Sequence, residues 1–281
     1  MSRRRATLCR AVRADGYRVF GRPTFWIAIL VGAAVKVVEA YGITDLGIGS
    51  MIAQNSMGTA VFYLDNISSF GFMSYAILCL CAFHAVFYAE EYQQNALSAR
   101  VQRMGAARYA VSRGVFAGGS AALCMCLIDL AATFIIAVPL RQGWLGYGDG
   151  SFYNAGGGSQ LLAGEKVSVY AVFLYYLMMI GIHALEAAFY ALLTMGISAF
   201  LTNRQALLAV PVVLKYLVDR NAGTLPDAIY IWTPGNIYTN GGTQAQLLGV
   251  SEPVGFLIVC LYILLAGVVC TWIIYRKIKR G

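Results

Sequence analysis

The stretch SVYAVFLYYLMMIGIHALEAAFYALLTMGISAF, residues 168–200, stays apolar for 33 positions. As one helix it would be roughly 50 Å long. The hydrocarbon core of a bilayer is about 30 Å thick and takes about 20 apolar residues. The stretch is therefore long enough to cross a membrane and too long to stand upright in one. It is expected to tilt, to kink near Gly181 or Gly196, or to project past the lipid.

Other apolar runs flank it. One spans about 23–41, opened by Pro23, whose missing N–H costs nothing in a first helical turn. Others cover about 67–88, 115–140 and 254–275. A short candidate at 206–219 is interrupted by Pro211 and Lys215. The composition fits: 59% hydrophobic and 12% charged, against roughly 25% charged in a soluble domain. These runs make one membrane domain of 23–281 and leave no room for a soluble catalytic domain.

The positive charges order the runs. Of 21 Lys and Arg residues, 16 lie in four segments: before the first run, in 100–113, at Arg204, and in 276–280. Cytoplasmic loops collect Lys and Arg. The bias predicts six transmembrane helices with both termini cytoplasmic, in the cell membrane. The short run at 206–219 is needed, since without it Arg276, Lys277, Lys279 and Arg280 would face outward. The following LPDAIYIWTPGNIY, 225–238, is too broken to span and too aromatic for a plain loop. It is read as a re-entrant segment between spans five and six, with protein covering its backbone. Trp26 and Trp272 mark inner ends, Trp144 and Trp232 outer ones. The net charge of +8 is explained by the inner loops. No base-reading motif accompanies it, so nucleic acid is not an expected partner.

Residues 1–22 carry seven Arg but no small-residue cleavage site behind a short apolar core. Leu8, Val12, Val19 and Phe20 fall near helical spacing among them. The segment reads as a basic N-terminal interfacial helix lying on anionic lipid, although Asp15 and Gly16 interrupt the stripe. None of the seven cysteines lies in an outer loop, so disulfides are not expected. Cys79/Cys81 and Cys124/Cys126 do not face each other on a helix and read as packing residues.

The loop AEEYQQNALSARVQRMGAARYAVSRG, 89–114, has a different character. Glu90 and Glu91 follow the second run. Leu97, Val101 and Met104 then recur at helical spacing until Gly105 breaks the pattern, and Arg108, Tyr109 and Arg113 lead into the third run. A short charged helix tied to two spans can transmit force from a soluble partner.

On these residues the chain resembles the permease subunits of ABC-2 type ATP-binding-cassette exporters. There the loop after span two starts with Glu, contains a coupling helix, and ends in a loose Arg–Gly–Arg–Tyr–Ser–Lys series. Here Arg103, Gly105, Arg108, Tyr109, Ser112 and Arg113 follow in that order, with Arg113 where Lys is common and Asn95 where Gly is often found. The resemblance implies a transport subunit, not an enzyme. It implies a second permease, as homo- or heterodimer, and separate ABC ATPase subunits beneath 89–114. Glu90, Glu91, Leu97, Arg103 and Arg108 would carry the coupling contact. No cofactor is expected in this chain, ATP and Mg belonging to the ATPase. The nearest approach to a phosphate-binding loop, GSQLLAGEKVS from Gly158, has Glu165 where Lys is required.

Two further classes compete. Glu90–Glu91 with His84 and His183 resembles the CAAX-processing type of intramembrane metalloprotease, but Asn95, Leu80 and Met179 replace the Arg and Phe residues of its motifs. A non-transporting structural membrane subunit is the other. Finally, Lys36, Glu39, Asp129, Glu186 and Lys215 fall within apolar runs, where ionisable groups cost at least ~2.5–3.5 kcal/mol each unless paired or wet. Lys36 and Glu39 are spaced to pair locally. Asp129, Glu186 and Lys215 are candidates to line a translocation path, and Lys215 is a distant partner for Asp129.

Overall fold

The computed structural model describes residues 8–43, 72–137, 169–222, 224 and 252–280. Every element among these residues is helical. The basic N-terminal stretch forms α1, Leu8–Phe20, and the first apolar run forms α2, Pro23–Ile43. They meet at a 54° bend. Gly21 donates its N–H to the Tyr17 carbonyl at 3.0 Å, and the Trp26 indole N–H closes the elbow on the Phe20 carbonyl at 3.0 Å.

The second run is broken. Helix α3 covers Phe72–Cys81, a 3-10 turn covers Ala82–His84, and α4 covers Phe87–Gln93. The break lies at His84, whose ring is wedged among Phe25, Phe83 and Phe87, with its Nδ1 3.1 Å from the Ser120 hydroxyl. Helix α5, Leu97–Met104, follows, and then α6, Ala106–Ala137, with 32 residues. Helix α6 starts nine residues before the expected 115. Hydropathy registers only its apolar part, whereas Arg108 and Arg113 end the lipid-compatible stretch without ending the helix.

Helix α7 covers Val169–Ile197, α8 Arg204–Ala222 and α9 Glu252–Arg280. The Asn203 side chain caps α8, accepting from the N–H of Gln205 at 2.9 Å and of Ala206 at 3.3 Å. Pro211 lies inside α8.

Helix α6 is the centre. It packs against α1, α2, α3, α5, α7 and α9, while α8 packs on α3 and α7. Close approach depends on missing side chains, as is usual between membrane helices. A Cβ on Gly32 would lie 2.5 Å from Ile128 Cδ1, and one on Gly196 would lie 2.8 Å from Cys270 Sγ. Cys81, Cys124 and Cys270 are packed in the core.

Among the described residues, three helical stretches, Ala106–Ile135, Ile180–Ile197 and Cys260–Arg280, are long and apolar enough to cross a membrane, and the bent α1–α2 pair makes a fourth if it is taken as one span. Helix α3 is apolar but shorter. The expected re-entrant segment 225–238, the outer stretches, Trp144 and Trp232 lie outside the described residues.

Candidate functional site

One end of the bundle gathers α1, α4, α5, the start of α6 and the start of α8 around three carboxylates. Glu91 is buried. Its Oε1 accepts from Arg18 Nη1 at 2.8 Å and lies 2.7 Å from Arg100 Nη1, with Arg113 Nη2 at 3.4 Å. Its Oε2 accepts from the Tyr109 hydroxyl at 2.7 Å. Asp15 is also buried. It accepts from Ser112 Oγ at 2.8 Å and from Arg113 Nη2 at 2.7 Å, and Arg100 stands 3.6 Å away. Glu90 lies 3.7 Å from Arg22 and 3.3 Å from Arg204. Burial pulls the Arg100 guanidinium below its ordinary value, and the neighbouring Glu91 opposes that shift.

Local structure explains the arrangement. Glu90 and Glu91 sit at the end of the broken second run, so neighbouring positions point to different sides: Glu91 inward to α1 and α6, Glu90 toward α8. Asn95 has φ 54° and Gly105 has φ 84°, ψ 145°. These two residues turn the chain into and out of α5. Asn tolerates the left-handed conformation, so Asn95 serves where glycine is the usual choice. Between them, Leu97, Val101 and Met104 pack against the core, and Ser98, Gln102 and Arg103 are exposed.

The sequence-derived coupling residues thus occupy different places. Leu97 anchors α5, and Arg103 and Arg108 are exposed. Glu91 is enclosed, with no face for a soluble partner. Asp15, Arg18, Arg100, Ser112 and Arg113 complete the cluster. Asp15 had a signal of its own: one carboxylate inside an otherwise basic amphipathic helix.

A second cluster lies within the bundle. Lys36 of α2 pairs with Asp129 Oδ1 of α6, and His183 Nδ1 of α7 sits 2.9 Å from Asp129 Oδ2. One turn on, Glu186 Oε1 receives Lys215 Nζ of α8 at 2.6 Å. All five side chains are buried. Asp129 meets Lys36 and His183 in place of the expected Lys215, and Lys215 meets Glu186. Sequence distance concealed this, because α6 lies against α2 whereas α8 lies on α7 and α3. The side chain of Glu39 is outside the described set. The two clusters together link α1, α2, α4, α5, α6, α7 and α8 through ionic contacts.

Among the described residues, no three of His, Cys, Asp or Glu gather as they would to hold a metal ion. His84 and His183 are engaged separately, with Ser120 and Asp129.

No family model matches the chain, no curated protein matches it, and no solved structure matches its fold.

Proposed function

We propose that this chain is the membrane-spanning permease subunit of an ATP-binding-cassette exporter. It would cross the cell membrane six times with both termini cytoplasmic, and the bundle end bearing Glu90 and Glu91 would face the cytoplasm. The observation that carries the reading is α5. It is a surface helix of two turns, packed by Leu97, Val101 and Met104, exposing Arg103, and fastened at its base through Arg100 to Glu91 and Asp15. A push on such a helix reaches α1 and α6 through short ionic contacts rather than through a slack loop. The engine would be a separate ATPase, in a dimer of permeases on two ATPase domains. Asp129, Glu186 and Lys215, with Lys36 and His183, would hold the spans in register beside the route taken by the substrate.

The test is biochemical. The chain is purified with whatever ATPase co-elutes, reconstituted, and assayed for ATP hydrolysis. Arg103→Glu is expected to lower the permease-dependent ATPase rate while the chain still inserts. Absence of any co-purifying P-loop ATPase, or an unchanged rate in Arg103→Glu, would remove the reading.

A further inference from the structure

Five arginines (Arg18, Arg22, Arg100, Arg113 and Arg204) surround three carboxylates in the cluster at the α1–α2 elbow. The surplus is not spread evenly. Glu91 and Asp15 absorb Arg18, Arg100 and Arg113 through hydrogen bonds and close ion pairs. Glu90 alone faces Arg22 and Arg204. It meets them at 3.7 and 3.3 Å as ion pairs, and Oε1 accepts no hydrogen bond. The N–H groups of both guanidiniums are therefore not committed to it.

Both guanidiniums are nevertheless held in place. Arg22 lies over the Phe87 ring at 4.8 Å and Arg204 over the Phe83 ring at 4.8 Å. The two rings are one helical turn apart in the chain. Two stacked arginines thus flank one carboxylate, with a residual charge of +1, and their side chains are 36% and 45% exposed. Planar guanidiniums with free N–H groups suit phosphate oxygens.

The surroundings select the kind of phosphate. Next to Arg22 in the chain, Phe20 is exposed and Trp26 is 54% exposed. Next to Arg204, Phe200 is 75% exposed and Leu201 is exposed as well. Up the first span, Ile27, Leu30 and Val31 are exposed. Exposed apolar side chains beside cationic ones belong at a headgroup–acyl boundary, not against water. A phosphodiester carries one negative charge, which closes the local balance of two arginines and Glu90.

We infer that Arg22 and Arg204, held on Phe87 and Phe83 beside Glu90, form a binding site for the phosphate of an anionic glycerophospholipid of the inner leaflet. The inference rests on the proposed orientation, in which this end of the bundle is cytoplasmic, but not on the coupling to an ATPase. The lipid would join the first, second and fifth spans at one point, which their own side chains do only loosely.

The experiment uses the full chain in detergent, titrated with phosphatidylglycerol or phosphatidylcholine. Bound lipid is counted by native mass spectrometry, and thermal unfolding is followed in parallel. Retention of phosphatidylglycerol over phosphatidylcholine is expected. Arg22→Gln with Arg204→Gln is expected to weaken that retention roughly tenfold to thirtyfold, at about 1 kcal/mol per arginine near the surface. Glu90→Gln is expected to strengthen it, which a purely structural role for Glu90 would not do. If the double variant does not fold, Glu90→Gln and the single Arg204→Gln decide alone. Equal retention of the two lipids would overturn the proposal. So would equal stabilisation by inorganic phosphate at millimolar concentration, which would mark a free-anion site. Unchanged lipid retention in Arg204→Gln with loss of a co-purifying ATPase would assign the arginines to a protein partner instead. Loss of the exporter reading, with selective lipid retention intact, leaves this site standing.

Discussion

Asp129 shows what a single buried carboxylate demands. Its two oxygens are divided between Lys36 and His183, so three helices meet at one side chain. Removing one member of a buried pair costs about 3–5 kcal/mol, more than removing both. Asp129→Asn is therefore expected to destabilise the chain by that order, read as thermal unfolding in detergent. Adding Lys36→Met should recover part of the loss, whereas adding Lys215→Met should deepen it by stranding Glu186. Recovery by Lys215→Met instead would refute the partnerships described above. Glu91 obeys the same logic. Glu91→Gln leaves Arg18, Arg100 and Arg113 around a neutral group and should cost a comparable amount. Tyr109→Phe removes one hydrogen bond to a charged acceptor and should cost about 1.5–3 kcal/mol.

Elements depend on where their ends are set. Helix α5 exists as a separate unit because Asn95 and Gly105 turn the chain on either side of it. Gly105 combines φ 84° with ψ 145°, a conformation available mainly to glycine. Gly105→Ala should cost about 1–3 kcal/mol or reorient α5, although nothing crowds a Cβ there. Asn95→Gly should be tolerated. Limited proteolysis within 93–106 would report the difference, with faster cleavage expected in Gly105→Ala alone. At α7, a Cβ on Gly196 would press on Cys270. Gly196→Val should destabilise the α7–α9 contact, and Cys270→Ala should relieve it.

Much of this was legible in the chain. The described residues of the runs at 23–41, 115–140, 168–200, 206–219 and 254–275 fall in helices except for the turn at 198–200, because apolar content over a full turn count leaves few alternatives. The break at Ala82–His84 was not legible, since it follows from a histidine meeting Ser120 and three rings from elsewhere. Helix α5 was visible in the spacing of Leu97, Val101 and Met104. Its carboxylate anchors are only half visible there: Glu91 stands out, but its burial depends on Arg18 and Arg113, 73 and 22 residues away in sequence.

For the whole molecule, the charge bias predicts accessibility. In a background without native cysteines, an impermeant thiol reagent applied to intact cells should label a cysteine placed at 150 and spare one at 280. The reverse pattern would invert the frame. Helix α9 leaves Leu257, Leu261, Leu264, Leu265, Val268 and Trp272 exposed, a surface that lipid or a second copy would cover in the proposed assembly. Beside it lies an apolar groove of about 540 Å³, bounded by Ala110, Gly114, Leu192, Gly267 and Trp272.

The Lys36–Asp129 pair also sets a schedule for biogenesis. The two residues are 93 positions apart. At about 5–20 residues per second of synthesis, Lys36 is made roughly 5–19 s before its counter-ion exists. During that interval α2 carries its ammonium without Asp129, with only Glu39 one turn away to offset a burden of about 2.5–3.5 kcal/mol against entry into lipid. Glu186 waits for Lys215 over only 29 positions. In the proposed topology α2 should therefore linger at the insertion machinery until α6 arrives, and nascent chains truncated before residue 129 should stay crosslinkable to that machinery. Lys36→Met should release them early.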